Sequence, residues 1–154
     1  MSVVIARERP DTEISRQLID ELEAVLSTHY PPESRHGYSV EKLIREGVHF
    51  FVLRAGEMPA ACGGIQFYAD FGELKRMYAR PQFQGRGLGR AMLRHLEGHA
   101  RAEGCRLLRL ETGIHQAAAI RLYERAGFQQ IPAFPPYIHD PLSLYYEKRL
   151  SENA

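Results

Sequence analysis

The sequence predicts an α+β fold: one mixed, mostly antiparallel sheet flanked by helices. Three observations carry this. Residues 48–79 hold three apolar, β-branched or aromatic runs separated by the turn segments Ala55-Gly56-Glu57 and Asp70 to Gly72, the signature of a meander. Two segments show a helical apolar stripe, Ile14-Leu18-Leu22-Val25-Leu26 and Leu88-Met92-Leu96-Ala100. After the meander the pattern alternates strand, helix, strand, helix, strand, which belongs to a layered domain with helices on its sheet.

In chain order, Val3-Val4-Ile5 reads as a short buried strand, stopped at Pro10. Asp11 or Thr12 can cap the first helix, which must end before Pro31-Pro32. Residues 27–38 form a loop rich in Pro, His, Tyr and Arg, and a brief helix spans about Val40 to Arg45. The meander strands are Val48 to Arg54, Ala60 to Ala69 and Glu73 to Ala79. Gly87 to Glu103 is a helix closed by Gly104, a residue suited to the left-handed position after a C-terminus. Leu107 to Glu111 is a strand, Gln116 to Ala126 a helix closed by Gly127, and Leu144 to Lys148 a last strand after the proline- and aromatic-rich loop 131–141.

Composition narrows the function classes. The 154 residues fit a single domain, 1–154, with 44% apolar and 25% charged residues. A net charge of +1 gives no basic excess for nucleic acid and no polybasic membrane patch. No run of about 18 apolar residues suggests a spanning helix. Cys62 and Cys105 cannot make a disulfide framework, so the expected location is the reducing cytoplasm.

The most informative stretch is E-L-K-R-M-Y-A-R-P-Q-F-Q-G-R-G-L-G-R-A-M-L, residues 73–93. A strand ends, a proline turn follows, and three glycines open a helix. Glycines let backbone N–H groups approach an anion, and the helix N-terminus adds free donors and its positive dipole end. A P-loop would place Lys and Ser or Thr after the last glycine, whereas Arg90-Ala91 follows Gly89. A dinucleotide fingerprint would read G-x-G-x-x-G, and the spacing is G-x-G-x-G. A pyrophosphate of another kind is the natural guest.

Gln84 to Gly89 matches Q/R-x-x-G-x-G/A and, with the flanking 73–81 segment and L-Y-E-R-A-G-F at 122–128, resembles the GNAT (GCN5-related N-acetyltransferase) superfamily. The likeness runs from about Val3 to Leu150. It implies a GNAT-like acyl-CoA N-acyltransferase fold and acetyl-CoA as co-substrate. The cofactor contacts it implies are Met77, Tyr78 and Ala79 on the strand, then Gln84, Gly85, Arg86, Gly87, Leu88, Gly89 and Arg90 on the loop and helix start. Gln116 stands where many members carry an asparagine that touches pantetheine. An oxyanion donor is implied at a backbone N–H near Met77 or Tyr78.

The resemblance also implies the catalytic pair. Tyr123 lies where the family places the tyrosine that protonates the departing thiolate; the alternative is a core aromatic, because Ala119, Ile120 and Tyr123 share one stripe. Glu73 lies where the histone-acetylating branch has its general base; the alternative is a strand carboxylate paired with Lys75 or Arg76. Neither cysteine has the partner that would make it a nucleophile. His95 and His99 are four apart without a third ligand, so no metal is expected.

The acceptor is expected under the loops 29–38 and 135–141, with Tyr30, Arg35, Tyr137 and Asp140 as substrate-binding residues. Arg35 would favour an acceptor that bears a carboxylate. The leading function is acetyl transfer from acetyl-CoA to a primary amine of a small molecule. The alternatives are a non-catalytic acyl-CoA-binding or regulatory module, and acetylation of a protein N-terminus or lysine. No nucleic-acid or membrane partner is expected, and a homodimer is left open.

Overall fold

A computed structural model describes residues 2–151. The elements in order are β1 (Val3–Arg7), α1 (Glu13–Ser27), α2 (Val40–Arg45), β2 (His49–Ala55), β3 (Met58–Phe67) and β4 (Gly72–Ala79). There follow α3 (Leu88–Ala102), β5 (Leu107–Gly113), α4 (Ala117–Arg125), β6 (Gln129–Ile131) and β7 (Ser143–Arg149). The strands form one seven-stranded sheet in the order β1-β2-β3-β4-β5-β7-β6. Every neighbouring pair is antiparallel except β4 with β5, which α3 connects.

Both faces of the sheet are covered, and β2 shows how. Its run Phe50-Phe51-Val52-Leu53 is apolar throughout because alternate side chains enter different cores. Phe51 and Leu53 pack with Met92, Leu93 and Leu96 of α3 and Tyr123 of α4. Phe50 and Val52 pack with Leu18 and Ile19 of α1 and Leu43 of α2. The helices start where local chemistry starts them. Thr12 Oγ1 accepts the Ser15 N–H at 3.1 Å, and Ser39 Oγ accepts the Lys42 N–H at 3.1 Å. Gly104 ends α3 at φ +80°.

Three expectations are corrected. Residues 3–5 are not a buried strand: β1 is the sheet edge, paired only to β2, and Val3 and Val4 are 42% and 58% exposed. Val25 leaves the buried stripe of α1 and is 38% exposed. The loop after α4 begins with a short strand, β6, which pairs with Tyr145–Glu147; three residues are too few for an alternation to be read.

On the α3 side of the sheet, His49 Nδ1 and His99 Nε2 share a hydrogen bond of 2.8 Å, with His95 and His99 both edge-on to Phe51. Burial holds the pKa of all three histidines below its usual value, and Arg7 pushes in the same direction at His49 and His99. The unfolded chain therefore binds protons first, near pH about 6.5, and stability falls as pH drops through that value. Thermal unfolding between about pH 7.5 and about pH 5.5 should show a falling midpoint, with a smaller fall in His99→Gln. A midpoint that is flat in the native protein, or equally steep in the variant, would show that these rings do not govern it.

Candidate active site

The site begins where β4 and β5 part. They pair only at Gly72 with Leu108 and Glu73 with Arg109. Beyond that, β5 stays paired with β7 along its whole length, while β4 stays with β3 as far as Ala79. The facing edges of β4 and β5 thus open into a wedge with unpaired backbone groups along it.

A bulge sharpens the turn of β4 away from β5. Lys75 opposes Gly64 and Tyr78 opposes Cys62, so Arg76 and Met77 together face Gly63 alone. Arg76 adopts φ +55°, a left-handed conformation that costs an ordinary residue about 1–2 kcal/mol. Gly63 admits the bulge, since a Cβ there would lie 2.6 Å from Met77 Sδ and 3.1 Å from Met92 Cγ.

The wedge opens on one side into a cleft of about 820 Å³. Met77, Tyr78 and Ala79 line it from β4. The glycine loop lines it with Gln84, Gly85 and Gly87, and the first turn of α3 with Leu88, Gly89 and Arg90. Gly85 and Gly87 take φ +80° and +74°, and no side chain caps the helix start at Gly87. The first N–H groups of α3 are therefore left to face an anion. Gly89 lets α3 start close to α4: a Cβ there would come within 3.2 Å of Leu122 Cδ2. Arg86 is not part of the lining; its guanidinium carbon lies 5.5 Å from the ring centre of Phe83, which is.

A second, smaller pocket of about 110 Å³ lies under residues 30–37 and Tyr137. It shares Met77, Gln116 and Tyr123 with the cleft, so the two cavities meet at these side chains. Tyr123 is buried, and burial together with Glu111 raises its pKa, keeping the phenol protonated at neutral pH. Glu111, on β5, lines the small pocket and accepts from Ser143 Oγ at 2.8 Å. Its pKa is raised chiefly by burial, against the opposing pull of Ser143 and His36.

The loop residues hold the pocket together. The Tyr30 hydroxyl donates to Gln116 Oε1 at 3.0 Å and accepts the His115 N–H at 2.9 Å, so its polar capacity is directed at the turn into α4. Gly113 makes room for it; a Cβ there would lie 2.0 Å from the same hydroxyl. Tyr137 donates to Glu73 Oε2, which also takes the Lys75 ammonium at 2.9 Å. Glu73 is 1% exposed and lines neither cavity. Arg35 lines the small pocket. Asp140 does not; it pairs with His36 at 3.1 Å and accepts the Leu142 N–H at 2.9 Å, bracing the second loop.

Covalent chemistry has no support from the cysteines. Burial pushes the Cys62 thiol up to about 12, and its Sγ donates to the Arg76 carbonyl at 3.3 Å. Among the described residues no group of three or more His, Cys, Asp or Glu side chains is arranged to hold a metal ion. No helix among them is long and apolar enough to cross a membrane. Sequence reasoning passed over Glu111 and named Lys75 and Arg76 only as possible partners of Glu73, the part that Lys75 takes. A carboxylate near the C-terminal end of a strand was a usable signal for Glu111, since ligands of open sheets gather there.

Comparison with known proteins agrees with this architecture. The profile of the Acetyltransferase (GNAT) family matches residues 14–128. An IAA acetyltransferase of Azospirillum brasilense is 41% identical over 151 residues, covering 97% of this chain and 99% of the relative. A Klebsiella pneumoniae structure assigned as an acyl-CoA N-acyltransferase superposes with a TM-score of 0.82 at 38% identity, covering 97% of this chain and 98% of that one. The PaiA N-acetyltransferase of Thermoplasma acidophilum, solved with coenzyme A, shares the fold with a TM-score of 0.76 at 19% identity, covering 97% and 99% of the two chains. With the family profile matched over most of its length and a relative 41% identical along nearly all of it, the chain belongs to the GNAT family of acetyltransferases.

Proposed function

We propose that the protein transfers acetyl from acetyl-CoA to a primary amine of a small molecule by direct attack. The observation that carries this is the meeting of a long cleft and a small pocket at Tyr123. In this reading the pyrophosphate lies on Gln84 to Arg90, pantetheine pairs with the open edge of β4 at Met77 to Ala79, and the acyl group ends at Tyr123. Gln116, fixed by Tyr30, borders the pantetheine end.

Acetyl transfer needs a deprotonated amine, a donor for the developing oxyanion and a proton for the thiolate. We assign the first task to Glu111, which lines the acceptor pocket and whose burial favours the proton-bound form. Glu73 was the sequence expectation for this task; its contacts support a positioning part, holding Lys75 and Tyr137 in place. The bulge at Arg76–Met77 leaves a backbone N–H outside the ladder, suited to the oxyanion. Nitrogen attacks the thioester carbon, the C–S bond breaks, and Tyr123 offers its O–H to the sulfur. The ammonium loses two protons overall: one leaves through Glu111, and the other replaces the proton that Tyr123 donates. A lasting tyrosinate is unfavourable in so buried a position, so restoration is rapid. A reducing cytoplasmic setting suits the two free cysteines.

The reading is tested by thiol release across a panel of amines. Acetyl-CoA binding without acceptor-dependent release would replace it with a binding module, and release confined to peptide N-termini or lysines would make the acceptor a protein. Tyr123→Phe should reduce turnover by about 10²-fold with little change in the KM for acetyl-CoA. Native turnover in that variant would remove Tyr123 from the acid role.

Glu111 must be unprotonated to accept a proton, so activity should fall as pH drops through its raised pKa. Glu111→Gln should lose that acid limb along with most of the rate, whereas Glu73→Gln should keep the limb. The opposite pattern would return the base to Glu73.

A further inference from the structure

Arg76 is the feature of the pocket that the acetyl-transfer reading leaves unused. Its side chain is 3% exposed, it lines the small pocket, and its Nε is buried with no hydrogen-bond partner. Its Nη2 donates to Glu23 Oε1 at 2.5 Å. Its Nη1 fits against Gly37, where a Cβ would approach to 2.0 Å. The guanidinium is thus clamped on two sides, by α1 and by the loop, with its buried Nε–H left unmatched. An unsatisfied donor on a buried charge is costly unless a guest supplies the acceptor.

The charges around it point to the sign of that guest. Glu23 is shared between Arg76 and Arg35, the latter at 4.0 Å. Two guanidinium groups therefore lean on one carboxylate, itself 37% exposed. The other cation of the lining, Lys75, is already matched by Glu73 at 2.9 Å, and His36 by Asp140 at 3.1 Å. The one acid of the lining, Glu111, sits across the pocket on β5 beside Ser143. One unit of positive charge is left on the Arg35–Arg76 side, facing a wall built for the amine.

Resting on the acetyl-transfer reading above, we infer that the acceptor carries a carboxylate next to its amine, as a free α-amino acid does. Arg76 binds that carboxylate through its spare Nε–H, with Arg35 closing the rim. A planar guanidinium with fixed donors recognises a carboxylate by shape as well as by charge. An uncharged amide in the same place would hydrogen-bond to Nε but leave the excess charge uncompensated. A simple amine would satisfy neither.

The test compares matched acceptors with the full chain: free L-amino acids, the same amino acids as C-terminal amides, and the corresponding amines without the carboxyl group. A charged hydrogen bond in a buried site corresponds to a preference of about 10- to 100-fold in kcat/KM for the free acid over its amide. Arg76→Gln should shrink that ratio toward one, chiefly through the KM of the free acid, and Arg35→Gln should shrink it less. If amides and plain amines are acetylated as well as the free acids, the carboxylate inference is overturned while the acetyl-transfer reading stands. If no acceptor of any class drives CoA release, both fall. Should Arg76→Gln fail to fold, the native protein's ratio of acid to amide still decides.

Discussion

The parting of β4 from β5 is the constraint on which the site depends. Two paired positions at Gly72 and Glu73 hold the strands together, and from there each keeps a different neighbour. A wedge of unpaired main chain in the middle of a sheet is unfavourable unless something occupies it or surrounds it. Here the surroundings come from α4 and Tyr123 on one side, and from the loops carrying Tyr30 and Tyr137 on the other. The long cleft and the small pocket are two ends of the same opening.

The bulge at Arg76–Met77 connects this opening to the chemistry. It turns β4 outward, takes a backbone N–H out of the ladder and rotates Arg76 toward α1, where Glu23 receives it. A regular strand would have alternated Arg76 onto the face of Leu74, in the core shared with α3. A single extra residue therefore produces both the strained backbone and the buried cation. Gly63 is its counterpart on β3, since any side chain there would collide with Met77 and Met92.

The glycine turn and the helix behind it were legible in the sequence because their signals are local. Gly85 and Gly87 sit where positive φ is required, and the stripe Leu88-Met92-Leu96-Ala100 faces the core as its spacing indicates. The small pocket was not, because its contacts join distant segments. Glu73 meets Tyr137 across 64 positions, and Tyr30 meets Gln116 across 86. No spacing rule shows that Glu73 is enclosed while Glu111, also a strand glutamate, faces the pocket. Burial of Val3 and Val4 failed for a similar reason: an apolar run gives a strand, and only the strand order makes it an edge.

Tyr30 and Tyr137 reach the sheet from separate loops and are each tied down by a hydroxyl, one to the turn after β5 and the other to β4. They anchor to the two strands that diverge, one on each side of the gap. The width of the small pocket accordingly depends on two tethers and not on ladder bonds. Exchanging residues in those loops can resize the chamber without disturbing the glycine turn or the helix behind it. On the acetyl-transfer reading proposed above, that separates what is donated from what receives it, so a change of acceptor requires no new way of holding the donor.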